Sequence, residues 1–482
     1  MKKIAKFLIV LGMIGQLSSC DYLDIVPDER AQESDTWKTE GAVRGYLYSC
    51  YGYLPANRTF GNSYWLAEEL TAVTKELFTT FKYGYYSPVS LGFTSNTWST
   101  IWNGIHQCYM FQESLKQVSN EYVTDEMKKQ YLAESNFLIA YYHFLSMRSY
   151  GPTMIIRSVI DLETPISGFP ERSSIDEVVA FINEKLDEAM SEGGLPTTWS
   201  GKDYGRATRL AALALKSRVY LYAASPLYNG NTEMYADFRS PLDGRQLIAQ
   251  EKSQAKWEIS ATQTKYAIDE VEKAKFHLYH DADAGEPSDA KPGLPNKAQR
   301  RLRYTNIDNQ TGNNPEIIWA DTRNDDYYGI QRRCPPRQTL GGKFAGISMT
   351  NCPTLQTIEA FYTKNGLPIN KDKTFDYDER YEYISAPENC DGNNYEDLVK
   401  YANFTPSSDK VMRLCTDREP RFYAWTTYHN GYFEFGKYNN EEISADPAKR
   451  AIRIHLLRDD PHGRGNRTDQ EYSISGFGNK KG

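Results

Sequence analysis

Cysteine and histidine are both scarce, seven of each in 482 residues, and no two cysteines form a CxxC pair. A disulfide-dependent scaffold needs cysteine at far higher density, and zinc ribbons or fingers need paired ligands, so both classes are excluded. Excess positive charge is lacking too: 56 Lys and Arg stand against 63 Asp and Glu, a net charge of −7. A phosphate-backbone partner would want a basic stripe, which excludes nucleic acid. There is no HExxH, no GxSxG, no GxxxxGK[ST] phosphate loop and no dinucleotide fingerprint; Gly463 and Gly465 lack the third glycine. The common catalytic frameworks are absent, and neither a cofactor nor a metal centre is expected. With 25% charged and 40% hydrophobic residues the chain is neither disordered nor an integral membrane protein.

Aromatic residues are what the chain has in plenty. Tyr outnumbers Phe 36 to 20, with 8 Trp, and an excess of amphipathic rings over apolar ones points to rings that meet water or ligand. The first residues, MKKIAKFLIVLGMIGQLSSC, place Lys2, Lys3 and Lys6 ahead of a short apolar run and end in small residues before a cysteine. This is a secretory signal peptide, too short in its apolar part to be a permanent span of about 20 residues. The stop LSSC matches a bacterial lipobox, which makes Cys20 the lipidated first residue of the mature chain. Losing residues 1–19 removes three lysines and no acid, moving the net charge from −7 to −10. The remaining cysteines, Cys50, Cys108, Cys334, Cys352, Cys390 and Cys415, read as buried free thiols or incidental bridges.

Residues 20–35 read as a polar tether, residues 36–276 as a helical scaffold and residues 277–482 as a loop-rich region. Helical periodicity recurs at Val43, Tyr46, Leu47, Cys50 and Leu54, and again from Trp98 to Cys108. A long helix from Thr124 to the stop at Gly151 and Pro152 should bury Leu132, Leu138, Tyr141 and Leu145. Ser174 and Glu177 form a capping box for a helix carrying Val178, Ile182, Leu186 and Ala189. Its partner runs from about Arg206 to Ala224, and another helix spans roughly Ser253 to Lys273. The starts at Ser174 and Arg206 are spaced close to the tetratricopeptide period of about 34 residues, in which helix hairpins bury one another's faces. Beyond about Phe276 Pro, Gly and Asn punctuate long loops, broken by a short helix at TLQTIEAFY, a turn at Asn365 and Gly366, and a hairpin RFYAWTTYHNGYFEF turning at Asn430 and Gly431.

Two loops carry the rings. FTTFKYGYYSPVSLGF holds Phe81, Tyr83, Tyr85, Tyr86 and Phe93, and DTRNDDYYGIQRR sets Tyr327 and Tyr328 beside Arg323, Asn324 and Asp325. A pyranose offers C–H faces to rings and hydroxyls to amides, guanidinium groups and carboxylates, so Phe81, Tyr83, Tyr85, Tyr86, Arg323, Asn324, Tyr327 and Tyr328 are the candidate glycan-binding residues. The alternative is that these rings fold back as anchors of the core. Asp281, Asp283 and Glu286 resemble the opening of a calcium loop, which Gly285 and Pro287 spoil, and His277 with His280 and Asp281 is a weak metal pattern.

The stretches CDYLDIVPDE, TWSTIWNGIHQC, YLAESNFLIAYYHFLSMRSYG, NNPEIIWADTR, REPRFYAWT and SISGFGNKKG, in that order behind a lipobox, resemble the SusD/RagB family of outer-membrane nutrient-uptake lipoproteins. The resemblance covers nearly the whole mature chain. It implies a mainly α fold, a tetratricopeptide-like helical hairpin scaffold with a loop-rich part carrying a few short strands, and no enzymatic activity. It further implies a lipid-anchored protein at the cell surface that acts as a lid on a TonB-dependent, SusC-like porin and binds oligosaccharide or, in some members, peptide. A structural lid without its own ligand site is a further alternative. Family members usually continue past the position of SISGFGNKKG into another helical pair, so a truncated chain with an exposed apolar face is expected. Only Cys20 falls on a family motif position; the ring residues rest on composition.

Overall fold

Local signals set the helix ends. Thr39, Thr124, Ser174 and Thr354 each stand in extended backbone before a helix and accept a backbone N–H from its first turn, the N-cap arrangement. The computed structural model describes residues 37–55, 68–71, 95–161, 163–280, 283, 297–307, 314–323, 333–336, 349–350, 352–385, 410–434, 451–460, 462–464 and 472–480. Its main helices are α1 (Glu40–Tyr51), α2 (Ser95–Leu115), α3 (Asp125–Tyr150), α4 (Ile175–Ala189), α5 (Arg209–Ala224), α6 (Gln254–Lys273), α7 (Lys297–Ile307), α8 (Leu355–Ala360) and α9 (Pro420–Trp425). The expected mainly α, tetratricopeptide-like scaffold with a few short strands is what forms. Among the described residues every sheet is a two-stranded antiparallel pair of two or three residues per strand. Such pairs pin loops together; they do not form a layer.

Two compact units divide the chain: Met1–Leu54 with Thr100–Pro196 and Val219–Lys256, and Pro55–Ser99 with Thr197–Arg218 and Trp257–Gly482. In the first, α3 is the axis. Asp125 and Glu126 favour its N-terminus, and Gly151, at φ 72°, ends it by donating to Met147 O. From Ala133 to Met147 almost every α3 residue is buried, polar ones included. A helix buried all round must satisfy its polar groups internally. Tyr51 donates to Glu134 Oε2 at 2.6 Å, Gln112 to Asn136 Oδ1 at 2.8 Å, Ser135 to Cys108 O at 3.2 Å, and Ser146 pairs with Thr153 at 2.7 Å. Tyr142 crosses to Cys50 O at 2.6 Å, lying so close to α2 that a Cβ on Gly104 would stand 2.7 Å from its ring.

His143 Nδ1 donates to Ile139 O at 2.8 Å, while Nε2 accepts from Ile156 N at 3.3 Å. These bonds suit the neutral ring, and burial pushes its pKa down to about 4. The Ser174–Glu177 capping box is present in full, and Val178, Ile182, Leu186 and Ala189 are buried as expected. Leu132 is a correction. It is 42% exposed although Tyr131 before it and Ala133 and Glu134 after it are buried, so at that end of α3 cover is missing on the one side where Leu132 lies, about 100° round the helix from Tyr131. Tyr141 is half-buried, stacked on Phe137.

The second unit has its core at Ile358, Ile369, Phe375, Val411, Leu414, Cys415, Phe422, Tyr423, Tyr428 and Phe477. Arg418 is buried inside it. Its guanidinium donates to Leu414 O at 2.6 Å, Ile358 O at 2.8 Å, Phe361 O at 2.7 Å and Tyr362 O at 3.3 Å, and lies over the Phe422 ring. Burial lowers its pKa to about 10, still charged at neutral pH. The turn at Asn365 and Gly366 forms, closed by Asp372, which accepts from Thr363, Asn365 and Thr374. Those hydrogen bonds, the Thr363 hydroxyl first, hold its carboxyl well below the usual range.

The hairpin expected from RFYAWTTYHNGYFEF does not form. Asn430 does turn the chain, at φ 63°, but Pro420 opens helix α9 at its first position, where a missing N–H costs nothing. The flanking strands pair elsewhere: β1 (Thr426–Thr427) with β4 (Gly478–Asn479), and β2 (Tyr432–Glu434) with β3 (Ala451–Arg453). Cys50, Cys108, Cys334, Cys352 and Cys415 are buried free thiols, and Cys390 lies outside the described residues.

Gly45→Ala, on an exposed turn of α1 with open space about the new methyl, is expected to stabilise by about 0.5–1 kcal/mol through helix propensity. Gly104→Ala should destabilise by about 1–3 kcal/mol through overpacking against Tyr142. Urea midpoints of the two variants check both signs. For His143 the unfolded ring takes a proton below about 6.5, which the folded ring refuses until about 4. Stability is therefore full above that window and falls as pH drops through it, by up to about 1.4 kcal/mol per pH unit. A wild-type slope between pH 7 and 5 no steeper than that of His143→Gln would sink this reading.

Candidate functional site

The loop TTWSGKDYGRA between α4 and α5 and the segment 314–323 meet in the second unit. Gly205 makes the meeting possible: at φ 99° it lies in the left-handed region, and a Cβ there would stand 2.7 Å from Thr322 Cγ2. Trp319 Nε1 donates to Gly205 O at 2.8 Å, and Trp199 Nε1 to Ala207 O at 2.9 Å. The segment 314–323 is braced from behind, where Tyr279 N donates to Glu316 Oε2 at 3.0 Å and His277 N to Pro315 O at 3.2 Å.

The same loop and segment carry two Arg–Asp pairs. Arg206 is bonded to Asp203 at 2.8 Å and lies 4.1 Å from the Trp199 ring centroid. Arg323 grips Asp321 with Nε at 2.8 Å and Nη2 at 2.5 Å, and reaches Pro55 O at 2.8 Å. Burial opposes ionisation of Asp321, but the bonds from Arg323 outweigh it and hold the carboxyl below its ordinary range. Trp199, Tyr204 and Trp319 are all half-buried, each with part of its surface open to solvent. The arrangement offers ring surface together with fixed guanidinium and carboxylate groups, which is what recognition of a hydroxylated, partly apolar ligand requires.

Of the residues chosen from sequence, Arg323 is in this arrangement. Phe81, Tyr83, Tyr85, Tyr86, Asn324, Tyr327 and Tyr328 lie outside the described residues, as does Cys20. Trp199, Tyr204, Arg206 and Trp319 were missed. Their signal was available: TTWSGKDYGRA is another Gly- and Ser-bearing loop with rings beside Asp and Arg, and Trp319 sits in NNPEIIWADTR.

Two other clusters belong to the same unit. Arg380 lies between the rings of Tyr377 and Tyr381, at 3.9 and 4.3 Å, and bonds Glu359 Oε1 at 2.6 Å. His277 and His280 stack at 5.4 Å on the exposed surface. His277 Nε2 lies 3.3 Å from both Asp283 carboxylate oxygens, and His280 N donates to Asp283 at 2.6 Å. The Asp281 and Glu286 of the calcium-like pattern fall outside the described residues.

Fold and site together define a helical-hairpin binding protein whose loops carry rings and paired charges. A family profile described as SusD-like, "starch-binding associating with outer membrane", matches residues 21–221, and the SusD family profile matches residues 315–478. The solved structure of BT4246 is 27% identical, covering 92% of this chain and 72% of its own, with a TM-score of 0.72. Two more distant structures share the fold. The SusD-like protein BF3747 of Bacteroides fragilis is 19% identical over 94% of this chain and 70% of its own, TM-score 0.60. The SusD-like carbohydrate-binding protein BF0978 of the same species is 15% identical over 92% and 72%, TM-score 0.51. No curated protein matches significantly. The chain belongs to the SusD/RagB family. Proteins of this family are associated with the outer membrane, and among the described residues no helix is long and apolar enough to cross one.

Replacing Arg323 with Ala removes the bonds that keep Asp321 ionised, so the Asp321 carboxyl should titrate at higher pH than in the wild type. An NMR titration of the carboxyl carbon reads the shift; an unmoved midpoint would show that Arg323 does not set it.

Proposed function

We propose that this chain is a non-catalytic, lipid-anchored protein of the cell surface that binds oligosaccharide and delivers it to a TonB-dependent, SusC-like porin. The family match over residues 21–221, whose description pairs starch binding with the outer membrane, carries the reading. The lipobox ending at Cys20 supports the anchor, and the rings of Trp199, Tyr204 and Trp319 beside Arg206, Asp321 and Arg323 support the ligand class. Ring faces would stack on the C–H faces of pyranoses while the charged groups read hydroxyls. Tyr83, Tyr85, Tyr86, Tyr327, Tyr328 and Asn324, with Phe81, are assigned to the same surface on the composition of their loops. An open surface leaves the ligand partly hydrated, so affinity is modest.

Soluble residues 21–482, checked for helical circular dichroism, should give saturable calorimetric binding to one class in a panel of plant, host and microbial glycans, with no new reducing ends. Each stacking ring removed costs about 1 kcal/mol, roughly fivefold in Kd. Trp199→Ala and the triple variant with Tyr83, Tyr85 and Tyr86 changed to Ala should therefore weaken binding while keeping the fold. Unchanged affinity in both variants would remove these residues from the site. Saturable binding to a peptide digest in place of glycan would make the ligand a peptide, and co-purification with the porin without any ligand would make the protein a structural lid.

A further inference from the structure

Three of the seven histidines in the whole chain, His429, His455 and His462, are buried with Asp460 in one place in the second unit. Backbone bonds build that place. Asn430 N donates to Ile454 O at 2.7 Å and Ile454 N to Gly431 O at 2.8 Å, joining the turn at Asn430 to the end of β3. Asp460 N donates to Leu457 O at 2.9 Å, and His462 N to His455 O at 3.2 Å, which folds residues 455–462 back on themselves. His455 N in turn donates to His462 Nδ1 at 2.9 Å, so His462 acts as a brace and His455 is held at its root.

Within this frame the ligand-type atoms of His429, His455 and Asp460 all lie within 4.8 Å of one another. His429 Nδ1 and Asp460 Oδ2 are 3.6 Å apart. Leu456 N–H donates to His429 Nδ1 at 3.1 Å, so this nitrogen presents a lone pair. Leu457 N–H donates to Asp460 Oδ2 at 3.1 Å. Two electron-rich atoms from different segments therefore face each other, with a third residue of the same kind beside them.

We propose that His429, His455 and Asp460 bind a divalent transition-metal ion, with Zn²⁺ the best match to their chemistry. Two ligands at the usual distances from one tetrahedral zinc are separated by about 3.4 Å, close to the His429–Asp460 spacing. Side-chain rotation brings His455 in from within 4.8 Å. Two imidazoles and one carboxylate suit a borderline cation; calcium prefers six to eight oxygens and magnesium keeps its waters. The ion would take the lone pair that now accepts from Leu456 N–H and would offset the charge of a buried carboxylate. Its effect would be structural, tying residues 429–431 to 454–462.

The test uses the soluble chain, residues 21–482, stripped with a chelator and titrated with Co²⁺. One equivalent should develop the visible absorption of a tetrahedral site, and Zn²⁺ should abolish it. Zn²⁺, but not Mg²⁺, should raise Tm saturably. Asp460→Asn and His429→Gln should each weaken Co²⁺ binding by more than about tenfold, while His277→Gln, at the exposed histidine pair, leaves it unchanged. Absence of a saturable Co²⁺ band, or a band that survives both variants, overturns the proposal. Where a variant fails to fold, histidine-labelled wild type decides by NMR: ring resonances of His429 and His455 that do not move with Zn²⁺ overturn it equally.

Discussion

The second unit depends on a buried cation. Arg418 sits inside the apolar core, and its guanidinium donors are met by main-chain carbonyls of residues 358, 361, 362 and 414. An unsatisfied charge in that place would cost far more than any one contact in the core contributes. The carbonyls must therefore stay where they are, which fixes the exit of α8 and the approach to α9 in one arrangement. Phe422 covers the guanidinium face and the Tyr423 hydroxyl accepts from Arg418 N, so the apolar core is assembled around the same residue. Short strand pairs can then hold long loops, because the core they border is already tied together by a group that tolerates no displacement.

The first unit solves a related problem along α3. A helix covered on every side, as α3 is between Ala133 and Met147, cannot turn its polar residues to water. Each of Glu134, Ser135, Asn136, His143 and Ser146 instead meets a partner on a neighbouring segment or in its own preceding turn. These bonds are directional where apolar packing is not, so they set the register of α1 and α2 along α3. Gly104, with the Tyr142 ring against it, sets how near α2 can come.

The candidate ligand surface is organised on a different principle. Trp199 and Trp319 are anchored by their indole N–H groups to main-chain carbonyls, leaving ring surface available, while Arg206 and Arg323 are oriented by Asp203 and Asp321. Binding groups held before the ligand arrives lose little freedom on binding. A loop-borne site can in this way be specific without a deep cavity, and the loops can vary in sequence while the helical scaffold stays the same.

Much of this was legible in the sequence because it is local. Ser174 with Glu177, Thr124 before two acids, Gly151 before Pro152 and Asn365 before Gly366 each specify a cap or turn within a few residues, and each formed where the pattern put it. The mainly α character followed from periodicity, and the family from ordered motifs. Pairing was not legible. Thr426–Thr427 and Tyr432–Glu434 flank a real turn yet pair with segments near residues 478 and 452, because partners for strands of two or three residues are chosen by the core they close over, not by the turn between them. Leu132 reads as core by its spacing and is exposed because cover on one side of a helix depends on a neighbour far away in sequence. Trp319 lies 114 residues along the chain from Gly205, the residue whose carbonyl it reaches, and His429 reaches Asp460 only through the pairing of β2 with β3. The sequence by itself determined the caps, the turns and the family, since those depend on neighbours along the chain; only the tertiary structure decided which rings and charges share a surface, since that depends on contacts whose closure no local pattern encodes.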